Sequence, residues 1–99
     1  DDMIDTAGSV TEGARALMHK GAAKVWVTAT HGLFSPPAFE RIDTAPIEEV
    51  VVTNTLPIPE DRLHGKIRVL SVAPLFARAI QNVFNDDSVS ELFDPDFQL

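Results

Sequence analysis

The 99-residue sequence contains no cysteine, which excludes a disulfide framework and thiol chemistry. It contains no apolar run of membrane-spanning length and no visible signal peptide. Basic residues are scarce: 8 Lys and Arg stand against 15 Asp and Glu, a net charge of −7. That balance argues against non-specific nucleic-acid binding, which calls for a basic patch. It leaves a phosphate ligand open, because a local cradle of backbone N–H groups can hold an anion inside an acidic protein. Low-complexity segments are also missing, and the length allows at most one small domain with a modest core. No membrane partner and no nucleic-acid partner is expected, and a cytoplasmic location fits.

An initiating methionine is lacking as well. A polar loop of the kind found at residues 1–9 should follow a buried strand, yet no apolar run precedes Asp1. The expectation is a natural polypeptide that continues upstream, with a strand ending at Asp1.

What is present is concentrated in Asp1-Asp2-Met3-Ile4-Asp5-Thr6-Ala7-Gly8-Ser9. Adjacent carboxylates suit a vicinal diol or a hydrated divalent cation. Small residues let backbone N–H groups close around an anion, and a following helix N-terminus adds partial positive charge. A diol at one end and a phosphate at the other describe a ribose 5-phosphate. A P-loop would carry Gly-Lys-Ser or Gly-Lys-Thr, and a Rossmann fingerprint three spaced glycines; neither is here. The plainer alternative is a loop in which Asp5 or Ser9 merely caps a helix, which accounts for one residue and not the group.

Downstream, Ser9 to about Lys20 reads as a helix with an apolar stripe of Val10, Ala14, Leu17 and Met18, closed by Lys20 and Gly21. Lys24 to Thr30 reads as a strand, and Trp26 at its centre as a core residue. Residues 36–42 read as a short helix capped by Ser35 with proline in its first turn. Glu49 to Thr53 and Lys66 to Leu70 read as strands. A long helix runs from about Val72 to Phe84, followed by an acidic tail, 85–99, with Leu92, Phe93 and Phe97 as apolar anchors. Continuous apolar strands between helices predict an α/β fold: a mostly parallel sheet with helices on both faces. Ligands of such sheets sit at the carboxyl ends of strands, where Asp1-Asp2, Thr30-His31 and Asn54-Thr55 are expected to converge. Among the histidines, His31 could serve proton transfer near the site but is read as structural. His19 is expected to compensate a helix dipole, and His64 to sit solvated in a turn. Asn54 and Thr55 either cap their loop or bond a ligand's base or sugar. The Phe76/Phe84 face is core or oligomer interface.

The first motif resembles the ribose-phosphate signature shared by phosphoribosyltransferases and ribose-phosphate pyrophosphokinases. With Ala-Thr-His-Gly-Leu-Phe-Ser, Thr-Asn-Thr-Leu-Pro, Leu-Ser-Val-Ala-Pro-Leu-Phe-Ala-Arg-Ala-Ile and Ser-Val-Ser-Glu-Leu-Phe (88–93), the whole chain resembles the C-terminal part of the ribose-phosphate pyrophosphokinase (PRPP synthetase) family. The later segments resemble the synthetase alone. The resemblance implies that residues 1–99 form the C-terminal part of a phosphoribosyltransferase-like domain, incomplete without upstream strands and ending in the 85–99 tail. It implies diphosphoryl transfer from ATP to the anomeric hydroxyl of ribose 5-phosphate, giving PRPP and AMP with Mg²⁺.

On matching positions, Asp1, Asp2, Asp5, Thr6, Ala7, Gly8 and Ser9 would bind ribose 5-phosphate, with Asp1 and Asp2 also facing Mg²⁺. Ser88, Ser90 and Phe93 would belong to a regulatory site for phosphate or ADP in a homo-oligomer of the hexamer-of-dimers type. The family usually has threonine at Ser9 and glycine at Pro36; proline removes an N–H there. ATP-binding parts and the catalytic basic loop are expected upstream of Asp1. Two alternatives stay open: a non-catalytic regulatory homologue that associates with synthetase subunits, and a phosphoribosyltransferase that uses PRPP.

Overall fold

The computed structural model describes residues 1–63 and 65–96. Four parallel strands form one sheet in chain order: β1 (Met3–Ile4), β2 (Trp26–Gly32), β3 (Glu49–Thr53) and β4 (Ile67–Leu70). Three α-helices connect or follow them: α1 (Gly8–His19), α2 (Ala38–Thr44) and α3 (Ala73–Phe84). Short 3₁₀ turns lie at Glu60–Arg62 and Ser90–Phe93. The parallel α/β sheet predicted by the apolar strands is present.

The ladder reaches back beyond β1. The Asp1 backbone nitrogen donates to Thr28 O at 3.0 Å. Thr30 N donates to Asp1 O and His31 N to Asp2 O at 3.3 and 2.9 Å. The acidic pair therefore lies along the sheet, and the strand runs past it to Ile4, where a strand ending at Asp1 was expected. Met3 and Ile4 supply the reason, since Ile4 is buried in the core and draws the chain along β2 before it turns.

Sequential strand order with right-handed crossovers places successive crossover helices on the same side of a sheet, and α1 packs against α2. On that covered side Val50 and Val52 of β3 are fully buried with Ala29, Ile42 and Ala38. The alternate residues Thr28, Thr30, Val51, Thr53 and Leu70 border an open groove of about 320 Å³ on the other side. Trp26 follows the same alternation and is 59% exposed, not core.

α1 buries Thr11 and Ala14, whereas Leu17 and Met18 stand exposed. The contact is between small residues, so helix and sheet approach closely, and Thr11 satisfies its hydroxyl on Ala7 O at 2.7 Å. The helix stops as its glycine requires. Gly21 adopts φ 105°, Gly21 N bonds Met18 O and Ala22 N bonds Leu17 O, the paired closure that left-handed glycine permits. His19 stands in the last turn, on the negative end of the helix dipole. β3 occupies the expected residues, while β2 and α2 each begin two residues later than the propensities indicate. The N-cap of α2 is Pro37, and Ser35 contributes its backbone carbonyl to Ala38 N in place of a side-chain cap.

α3 follows β4 with Leu75 and Ala79 half-buried. Phe76, Ile80, Val83 and Phe84 lie outward, Phe84 being 86% exposed. The Phe76/Phe84 face is thus not core among the described residues. The tail turns back on this helix through Asn82, buried to 4% exposure, whose amide donates to Ser88 O and Glu91 Oε1 at 2.9 and 2.6 Å.

Candidate functional site

The loop after β1 turns on Ala7. Its φ of 65° and ψ of 15° are left-handed, a conformation that costs a non-glycine residue roughly 1–2 kcal/mol. Ala7 is buried, and Thr11 N returns to Ala7 O at 3.1 Å. The strain is thus held by the first turn of α1. Gly8 is the first residue of α1 and lies outside the positive-φ set. Its lack of a side chain serves proximity instead: a Cβ there would stand 3.2 Å from Arg41 Nη1.

Among the described residues no side chain caps the N-terminus of α1. The plainer expectation, that Asp5 or Ser9 is simply a helix cap, is therefore not met. The first-turn amides of a helix have no intrahelical acceptor, and here the first-turn residues Gly8, Ser9 and Val10 line a cavity of about 190 Å³. Asp1, Met3, Ile4, Asp5, Thr6, Ala7, Gly8, Ser9 and Val10 border this open cavity. Six of the seven predicted sugar-phosphate residues share this wall. Asp2 is not part of it; its backbone N–H donates to Asp1 Oδ1 at 2.7 Å.

Behind the loop, Arg41 of α2 donates from Nη1 to Thr6 O at 3.1 Å. Sequence reasoning missed this residue, because a charge on a short helix reads as a solvated face. The signal that could have found it is the basic residue one turn into the helix after β2, on the side that packs against α1.

At the ends of β2 and β3 a hydroxyl–imidazole chain closes the sheet. His31 Nδ1 and Thr55 Oγ1 are 2.6 Å apart, Thr53 Oγ1 donates to Thr30 O at 2.6 Å, and His31 bridges Asn54. Asn54 Oδ1 accepts Val72 N–H at 2.9 Å and so ties its loop to the residue that precedes α3. The structural readings of His31 and Asn54 thus have named partners. His64 lies outside the described residues, as does Phe97.

Asp1 and Asp2 are both exposed. Among the described residues no cluster of three or more His, Cys, Asp or Glu could hold a metal. At the other end of the chain, Ser88 and Ser90 come together, their hydroxyls 2.6 Å apart, and Phe93 is 78% exposed beside the buried Leu92.

Comparison with known proteins gives this geometry its context. The family described as phosphoribosyl synthetase-associated domain matches residues 1–94. The chain belongs to this family. Ribose-phosphate pyrophosphokinase of Caldanaerobacter subterraneus subsp. tengcongensis is 52% identical over 93 residues, covering 94% of this chain and 29% of that protein. The Clostridium acetobutylicum protein of the same name gives the same four values. The crystal structure of phosphoribosylpyrophosphate synthetase from Mycobacterium smegmatis superposes with a TM-score of 0.83 at 46% identity, over 87% of this chain and 29% of that one. The chain thus spans under a third of the length of these relatives. None of its described helices is long and apolar enough to cross a membrane.

Proposed function

We propose that this chain supplies the ribose 5-phosphate site of a ribose-phosphate diphosphokinase, within a longer polypeptide that transfers the diphosphoryl group of ATP to the anomeric hydroxyl. The observation that carries the reading is the uncapped N-terminus of α1 opening on a cavity walled by Asp1, Asp5, Thr6, Ala7, Gly8 and Ser9. The loop amides and the hydroxyls of Thr6 and Ser9 receive the 5-phosphate. Asp1, at the strand end of the same cavity, receives the ribose hydroxyls. Asp1 and Asp2 also present the two carboxylates that suit Mg²⁺, which when bound neutralises charge on the phosphate oxygens. With the sugar fixed at both ends, its anomeric oxygen is directed at the β-phosphorus of ATP, and AMP leaves. The residues of this chain contribute position, not bond-making.

The same reading assigns Ser88, Ser90 and Phe93 to a regulatory site for phosphate or ADP in a homo-oligomer. The adjacent serine hydroxyls and the exposed Phe93 ring support it.

Ser9→Asp tests the loop. An acidic residue in the first turn favours the helix but places a carboxylate where the phosphate binds. Calorimetric titration of the complete polypeptide should show affinity for ribose 5-phosphate reduced at least tenfold, with thermal stability kept. Unchanged affinity would falsify the assignment.

A further inference from the structure

We infer that Arg41 is a positioning residue for the anion loop; the inference rests on the ribose 5-phosphate reading of that loop. Arg41 does not line the cavity. Its guanidinium instead reaches from α2 to the outer side of the loop, where Nη1 donates to Thr6 O at 3.1 Å.

The consequence follows from peptide geometry. The carbonyl and N–H of a trans peptide point in opposite directions. With Thr6 O turned out towards Arg41, the Ala7 N–H of the same peptide is turned away from α2, to the cavity side. Ala7 then takes its left-handed conformation, and the Gly8 and Ser9 amides of the first helical turn follow. Arg41 thereby fixes the orientation of the first amide in the series. The bare Gly8 leaves the approach unhindered; a Cβ there would stand 3.2 Å from Nη1 and require the guanidinium to give by a few tenths of an ångström. The delocalised cation behind the loop also favours an anion in front of it, and among side chains guanidinium is well suited to hold a carbonyl at fixed direction. Because α2 follows β2 and α1 follows β1, the contact ties two successive crossover units together at the point where the ligand binds.

The test compares Arg41→Met, Arg41→Lys and Ser9→Asp in the complete polypeptide, by steady-state kinetics and thermal unfolding. Arg41→Met keeps the stem of the side chain and removes its donors. It should raise KM for ribose 5-phosphate about tenfold while kcat and KM for ATP change less than threefold. Arg41→Lys, which keeps charge and a donor, should recover most of the loss. If Ser9→Asp weakens ribose 5-phosphate binding and Arg41→Met leaves its KM within twofold, the positioning role is wrong and the loop reading stands. If neither variant moves that KM, both fall. A loss in Arg41→Met that touches both substrates equally and follows a fall in Tm marks a merely structural contact and also overturns the inference.

Discussion

The residue that decides the loop is Ala7, and nothing in its identity announces it. Left-handed backbone is expected at glycine, and the adjacent Gly8 invites that role from sequence, yet the positive φ falls one residue earlier. The strain persists because Ile4, Ala7 and Ala14 are packed in one core and Thr11 bonds Ala7 O from both backbone and side chain. Two substitutions separate strain from shape. Ala7→Gly relieves the roughly 1–2 kcal/mol of left-handed strain but adds chain entropy worth about 0.5–1 kcal/mol. Chemical denaturation should therefore find stability unchanged or raised by up to ~1.5 kcal/mol, with ribose 5-phosphate affinity retained. Ala7→Val adds a β-branched side chain at the same positive φ in a buried place. It should lower stability by about 1–3 kcal/mol, and titration should show the affinity lost. Equal affinity in the two variants would mean that the loop conformation is irrelevant to binding. Of the acidic pair and loop hydroxyls that residue type and spacing single out, Asp1, Thr6 and Ser9 come together at one cavity and Asp2 does not. Ala7 and Arg41 were not legible, because a backbone angle and a contact 35 residues apart leave no local pattern.

At the scale of elements, legibility followed how each element is held. β3 is a run of three valines in the middle of the sheet, Val50 and Val52 buried and Val51 half-buried, so propensity and environment agree and its ends are where the sequence puts them. β2 is drawn two residues further along, to Gly32, by its pairing with Met3–Ile4. In α1 the periodicity was right and half of the stripe packs inward: Ala14 is buried and Val10 lies against the core. Small residues carry the contact, and Leu17 and Met18 look outward. The short helix α2 is closed by a device that sequence does not reveal. Lys66, from the approach to β4, donates Nζ to Ile42 O, Asp43 O and Ala45 O at 3.1, 3.3 and 2.7 Å. An ammonium on the last carbonyls satisfies orphan acceptors and complements the helix dipole. Lys66→Met keeps the stem and removes all three bonds. Charged hydrogen bonds are worth about 1.5–3 kcal/mol, and Lys66 is half-buried, so the lower end of that range is expected. Urea titration should show a reduced midpoint with an unchanged slope. A midpoint equal to wild type would show that water replaces the ammonium without cost.

Over the whole molecule, the parallel α/β class was legible because three strand-like runs alternate with turns and helices; the short first strand, Met3–Ile4, was not. The distribution of burial was not, since the exposure of Trp26 and Phe84 depends on which faces meet other parts of the protein. The tail shows how such a surface is organised. Asn82 sits on α3 at 4% exposure and its amide holds Ser88 O and Glu91 Oε1, while Leu92 tucks in at 8%. Because a buried amide bonded twice is costly to leave unsatisfied, Asn82 sets where Ser88 and Ser90 lie relative to α3. Under the regulatory reading, the serines act as a pair only while that placement holds. Ser88→Ala/Ser90→Ala in the complete enzyme should keep catalysis and lose part of its response to inorganic phosphate or ADP. Asn82→Ala leaves both serines intact and releases their segment. It should speed amide hydrogen exchange across 88–93 while β2 and β3 stay protected, and reproduce the regulatory loss of the double variant. If exchange quickens and the response to phosphate and ADP stays at wild type, the serines do not need their docked arrangement, and the tail's role is packing alone.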